Sequence, residues 1–439
     1  MGKPFAVICE DMCRVLTTMR TLLLLACLWP GGQVPLRAGM LLVPMDAAQN
    51  EHLKAYGVAY WVLAHGSPVD WLLNYRGGSF AFEAVPSFEQ ELVIRNVAYE
   101  KLSDGQYNQI LAQVTSESSN TDMVKLEKEP KIAVYSPKSA QPWDDAVTLV
   151  LTYAEIPYDV IYDSEVMDGK LSEYDWLHLH HEDFTGQYGR FYASYRNQPW
   201  YREQVAELEG IAEKYGFSKV SKLKLAVALK MKEFVSNGGF LFAMCSATDT
   251  YDIALAAHNT DICEAMFDGD GMDPNFEQKL DFTQTLAFQN FKVERNPMRY
   301  EHSDIDASPL NGRQVAEPLD YFTLFEFSAK WDPVPSMLTQ CHTRTVKGFM
   351  GQSTAYVKRV IKPEVLIMGE FKGAGEARYI HGNHGRGMWT FYGGHDPEDY
   401  QHFVHEEPTD MNQHKTSPGY RLILNNVLFP AAKKKKQKT

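Results

Sequence analysis

Cysteine is scarce in this chain, six in 439 residues, and three of the six lie before position 38. Basic charge is short as well. With 43 Lys and Arg against 56 Asp and Glu, the formal charge is −13, and a chain so poor in cations lacks the basic stripe that tracks phosphates, so nucleic acid is not an expected partner. Long apolar runs are missing too. The apolar stretch at 22–29 falls well below the roughly 20 residues of a membrane-spanning helix. No segment recurs at a fixed period, and low complexity is confined to the lysines near the end, so 431–439 reads as a basic, disordered tail. What remains is 44% hydrophobic and 12% aromatic, enough to build ordinary cores in two or three domains.

The short apolar stretch has its own meaning. Arg20 precedes it and Pro30, Gly31 and Gly32 break it, which is the order of an export signal, so 1–38 is expected to be a signal segment cleaved between about 30 and 40. A start at Met19 would put the signal at the terminus, and Leu24-Leu25-Ala26-Cys27 is a weak lipobox. The expected location is periplasmic or otherwise exported, with no transmembrane segment in the mature chain. Cleavage leaves Cys245, Cys263 and Cys341. Three thiols permit at most one internal disulfide, so the chain is no disulfide scaffold and at least one thiol stays reduced.

Strand and helix periodicities alternate over 39–114, which predicts a small N-terminal α/β domain with a parallel sheet. Arg76, followed by Gly77 and Gly78 at a strand end, is either a ligand contact or part of a turn. The polar run 115–129 reads as a linker. A larger α/β domain follows over 130–430, with strands near 131–136, 158–162 and 175–180, helices at 144–155 and leading into the strand at 240–244, and a hairpin of 377–381 with 387–392. A closing helix is expected at 419–428. The aromatic-rich stretch 186–224 reads as a helical insertion or lid, and the acidic loop 268–273 as either a calcium loop or turn chemistry.

One stretch points to chemistry. The strand Phe240-Leu241-Phe242-Ala243-Met244 stops at Cys245, with Ala243 and Ala247 two positions to either side. A strand turning sharply into a helix tolerates only small residues there, and it raises the central side chain over backbone N–H groups that hold an oxyanion. Cys245 is therefore a candidate nucleophile, its pKa expected to be lowered by the helix start, with the N–H near Ser246 in the oxyanion hole. The plain alternative is a buried small hydrophobe. A thiol nucleophile needs a base and an orienting acceptor. His395 supplies the first, and Glu398 or Asp396 the second. His178, His180, His181, Glu182 and Asp183 cluster at another strand end, with His178 and His180 on one face and His181 on the other if the strand runs that far. His178, His180 and Glu182 form the alternative, a divalent metal site. The aromatics Trp176, Phe184, Tyr188, Phe191, Tyr192, Trp200 and Tyr201 suit a third reading, a non-catalytic cleft for a sugar-like ligand. A small-molecule ligand is the expected partner and no cofactor is expected; the sequence leaves the oligomeric state open.

The Gly393-Gly394-His395-Asp396 strand end, the histidine-rich strand end and the closing helix resemble the trehalose-utilisation type of the class I glutamine amidotransferase-like superfamily. The resemblance covers about 130–430 and implies a flavodoxin-like parallel sheet with a Cys-His-Glu site. The mature chain as a whole, through Trp71 to Phe80, Trp176 to Gly189 and Tyr392 to Tyr400, resembles an exported Bacteroidota family usually labelled asparagine synthetase B. The resemblance implies kinship of fold. The N-terminal cysteine and the Ser-Gly-Gly-x-Asp-Ser loop of ATP-dependent asparagine synthetases have no counterpart here.

Overall fold

The computed structural model describes residues 39–432 apart from 140, 333 and 402, so the expected export segment and the lysines of the tail lie outside the described residues. The first sheet is built from β1 (Met40–Val43), β2 (Val69–Leu73), β3 (Ser79–Glu83), β4 (Glu100–Leu102) and β5 (Asp122–Leu126), in the order β4-β1-β3-β2-β5. Every pairing in it is antiparallel. This corrects the expected parallel sheet. Only 74–78 join β2 to β3, with Gly77 and Gly78 at φ +77° and +90°, and so short a link closes a hairpin, whereas a parallel crossover needs a dozen or more residues. The expected linker is corrected as well. β5 occupies 122–126 with Val124 and Leu126 buried and Lys125 exposed; the polar residues of an edge strand gave the segment its linker-like composition.

Three helices accompany this sheet: α1 (His52–Ala64), α2 (Pro86–Ile94) and α3 (Asp104–Val114). α3 covers one face, where Leu42, Leu72, Ala81, Tyr107 and Val114 pack together. α1 covers the other and is buried nearly all round, as expected of a helix enclosed on several sides. Its outer side meets the second domain so closely that a Cβ at Gly57 would lie 1.8 Å from the Ala154 carbonyl oxygen.

The second sheet contains β6 (Ile132–Tyr135), β7 (Asp159–Ile161), β8 (Trp176–Leu179), β9 (Phe240–Met244), β10 (Tyr321–Leu324), β11 (Thr345–Lys347), β12 (Tyr356–Val357), β13 (Leu366–Phe371), β14 (Glu376–His384) and β15 (Gly387–Tyr392). Its helices are α4 (Ala146–Ala154), α5 (Asp163–Met167), α6 (Pro199–Lys214), α7 (Val220–Ser236), α8 (Ser246–Ala256) and α9 (Pro418–Leu428), with shorter turns between. The strands β7-β6-β8-β9-β15 are adjacent and parallel, and β14, β13, β10 and β11 extend the sheet antiparallel, with β12 beside β14. The fold is thus mixed α/β with a parallel centre.

β6, β8 and β9 are buried along their whole length, as strands covered on both faces must be. Alternation divides β9 between two cores. Phe240, Phe242 and Met244 join α4 and α9 on one side, while Leu241 and Ala243 join α7 and α8 on the other. At the far end of the chain, the Glu127 N–H donates to the Ala431 carbonyl and Ala432 bridges to Leu126, so the last described residues extend the first sheet. In the acidic loop, Lys219 pairs with Asp261, Asp268 and Asp270. An ammonium neutralises these carboxylates, which supports the turn reading.

Candidate active site

β9 passes into α8 at Cys245, whose φ of 47° and ψ of −141° lie where a non-glycine residue costs about 1–3 kcal/mol. Ala243 and Ala247 are fully buried beside it, leaving no room for larger flanks. The Cys245 N–H donates to the Gly394 carbonyl at 3.1 Å, which joins the elbow to the end of β15. The sulfur faces backbone donors. The Gln352 N–H reaches Sγ at 3.4 Å, and those of Ser246 and Ser353 also point at it. Burial nevertheless dominates and pushes the thiol up to about 11, so the expected lowering by the helix start is overturned.

The cover is the segment 349–354. Its Ser353 hydroxyl donates to Asp249 at 2.6 Å, its Thr354 N–H to Asp306 at 2.8 Å, and its Gln352 amide to the Gly189 and Tyr300 carbonyls at 2.9 and 2.8 Å. Burial raises Asp249 to about 6. The sequence marked none of this segment, because it arrives from the irregular region between β11 and β12.

The histidines gather next to the elbow. β8 ends at Leu179, so His180 and His181 are free of strand alternation and both reach the same space, their rings stacked at 3.9 Å between centroids. The expectation that His181 would face away required a longer strand. The His395 ring stands 4.7 Å from each of them. One ring nitrogen from each of His180, His181 and His395 lies within 4.8 Å of the others. His178 stays in the strand, its ring beside those of Trp176 and Phe242. Its Nε2 is 3.2 Å from Asp145 Oδ2, which also lies 3.0 Å from His180 Nδ1. Burial alone would raise the Asp145 carboxyl, but the two imidazoles hold it well below the ordinary range. Sequence reasoning missed Asp145, which looks like a helix cap and is one: it accepts the Thr148 N–H at 2.8 Å.

Several expected site residues serve other ends. Asp396 accepts the Tyr420 hydroxyl at 2.7 Å and the Glu398 N–H at 2.8 Å, while Glu398 pairs with His414 at 3.2 Å, in a recess of about 260 Å³ that it shares with Asp144, Asp399, Glu406 and Asp410. Asp183 accepts the N–H groups of Thr185, Gln187 and Gly189 and pairs with His302 at 3.3 Å. It shapes its own loop. Glu182, raised to about 8 by burial against the pull of Lys224, is outside the histidine group, so the metal set His178, His180 and Glu182 does not assemble. Ser246 donates its hydroxyl to the His181 carbonyl at 3.0 Å. Arg76 pairs with Asp46 and Glu100 at 2.8 and 2.6 Å in the first domain, which removes it from the site.

Of the aromatics, Trp176, Phe184, Tyr188 and Tyr201 are core residues. Phe191 and Trp200 instead form a half-buried wall with Trp143, which sequence reasoning missed. Trp143 lies 5.6 Å from the His181 ring, 5.3 Å from Phe191 and 5.2 Å from Trp200. The indole N–H groups of Trp143 and Trp200 are buried with no acceptor. A cleft of about 1260 Å³ opens at the opposite edge of the sheet, near Asp175, Gly239 and Gly387, and no histidine or cysteine lines it among the described residues. Volume and chemistry therefore disagree. Open α/β sheets bind ligands beyond their strand carboxyl ends, and the elbow and histidines are there.

No family model matches the chain, and no curated protein matches it. Among solved structures it is similar to the GH42 β-galactosidase Gan42B from G. stearothermophilus, with 12% identity over 61% of this chain and a TM-score of 0.27. The chain spans 28% of the length of that galactosidase. It is also similar to a cytoplasmic protein from Salmonella typhimurium, with 10% identity over 73% of this chain and 93% of the other, at a TM-score of 0.31. Scores this low assign neither fold nor activity.

Proposed function

We propose that the chain is an exported hydrolase or transferase that opens a small amide or ester through a thioester on Cys245. The observation that carries this reading is the strained Cys245 backbone, with the N–H groups of Ser246, Gln352 and Ser353 turned on its sulfur. Strain of this kind persists only where the surroundings impose it. The sheet order β7-β6-β8-β9-β15, second-first-third-fourth-fifth along the chain, is that of flavodoxin-like domains, which supports the class I amidotransferase-like reading.

The thiol rests neutral, so attack and deprotonation occur together. Sγ bonds to the carbonyl carbon while its proton passes to the His395 imidazole. The N–H groups released from the sulfur then hold the oxyanion. Collapse expels the amine or alcohol with the proton from His395, and water opens the thioester with His395 again taking the proton. A second reading, non-catalytic binding of a polar ring, draws on the unsatisfied indoles of Trp143 and Trp200.

The test is incubation of the mature chain with activated small esters and amides, read by intact mass and peptide mapping. A covalent acyl adduct on Cys245, absent in Cys245→Ala, is the expected result. Turnover that survives Cys245→Ala, or adducts on other residues alone, would end the proposal.

A further inference from the structure

We propose that His180, His181 and His395 form a three-histidine site for one divalent transition-metal ion. Their donor atoms already lie within 4.8 Å of one another. Bonds of about 2.0–2.1 Å in a tetrahedral site put the nitrogens roughly 3.3 Å apart, so the rings close by about 1.5 Å at most. Two of the three have an oxygen behind them. His181 donates Nε2–H to the Asp144 carbonyl at 2.8 Å, which leaves Nδ1 with a lone pair. His180 Nδ1 sits 3.0 Å from the Asp145 carboxylate, and that carboxylate is itself fixed by the Thr148 N–H and His178. A carboxylate or carbonyl behind an imidazole sets its tautomer and orients it toward a metal.

His180 supplies an independent indication. It is 1% exposed and its Nδ1 faces the Asp145 carboxylate, yet its Nε2 has no hydrogen-bond partner, and a buried polar atom without a partner costs about 1–3 kcal/mol. A metal on Nε2, with the ring turned slightly so that Nδ1–H meets Asp145, satisfies both atoms. Imidazole donors alone select zinc, cobalt, nickel or copper over magnesium or calcium.

The consequence for chemistry rests on the thiol reading above. An ion held by the His395 nitrogen that faces the cluster withdraws the base that Cys245 uses, so the metal-bound chain is the inactive form. Metal and thiol acylation then exclude each other.

The experiment uses the mature chain, stripped with chelator and titrated with Co(II), with Zn(II) as competitor. One cobalt per chain with visible absorption bands displaced by zinc is expected, and His180→Ala, His181→Ala and Asp145→Asn should each weaken binding by about 10-fold or more, with Cys245→Ser unaffected. Circular dichroism on each variant separates loss of ligand from loss of fold. His181 is half-buried, so His181→Gln is the variant least prone to misfold. Absence of stoichiometric binding, or binding unchanged in both His180→Ala and His181→Gln, overturns the site. Zinc should also suppress acylation of Cys245 by an ester probe. Undiminished acylation of the zinc-loaded chain overturns the exclusion. A chain that binds cobalt as expected but never acylates defeats the thiol reading and leaves the metal site standing.

Discussion

Cys245 is both strained and buried, and each property has a measurable sign. At φ 47° glycine is relaxed where alanine is not, so Cys245→Gly should be more stable than Cys245→Ala by about 1 kcal/mol in urea unfolding, the reverse of the usual order. The raised pKa of about 11 means that native labelling by iodoacetamide climbs with pH to the top of the accessible range. The half-exposed Cys341 should label first between pH 6 and 9, and mass mapping of a time course checks this. Faster labelling of Cys245 would show that the cover opens readily. The elbow itself was legible, because small residues at 243 and 247 are a local steric signature. Its electrostatics were not. They depend on what lies over the helix start, and that cover comes from more than 100 residues downstream.

The cover is the element to perturb. Ser353→Ala removes the hydrogen bond to Asp249, and loss of one bond worth about 1 kcal/mol should speed labelling of Cys245 by about fivefold while leaving that of Cys341 unchanged. Alternation of helix and strand announced the mixed α/β character of the second sheet but gave the wrong strand direction in the first. The pattern reports burial and period, and direction is decided by connection length, as at 74–78. His181 failed in the same way, since the two-residue period lapses where β8 stops at Leu179. Asp145 and Trp143 were hidden for another reason. They sit before α4, where a cap and a single aromatic are ordinary, and only the β6-β8 pairing brings them to the histidines.

Across the whole molecule, buried ionisable groups pull stability in opposite directions with pH. Burial raises Glu182 to about 8 and both Asp249 and Asp252 to about 6. The stability contributed by these neutral carboxyls is full below their unfolded values near 4 and is lost as pH rises through 6 to 8. Burial lowers His52 to about 3 and His342 to about 4, so their contribution is complete above pH 6.5 and is lost as pH falls toward 3. Thermal melts across pH 3–9 should peak between about 5 and 6.5, and a maximum above pH 8 would contradict the assignment. Both histidines touch Arg421, which is buried and also donates to the Met45 and Gly77 carbonyls at 3.1 and 2.7 Å. One guanidinium on α9 thus ties the two sheets together, and one core runs through α1, α4 and α9.

That placement of α9 has a consequence in time. The first sheet lies within 40–126, yet the helix that completes its inner face comes only at 418–428, and residues 431 and 432 pair with its edge strand. The nascent domain therefore has an open apolar face until residues 418–432 have left the ribosome. A fragment ending at 417 should give exchange-labile amides throughout 39–126, and adding a peptide of residues 418–432 should restore protection. A domain whose closing helix follows every strand of the other sheet finishes folding only after that sheet has been made.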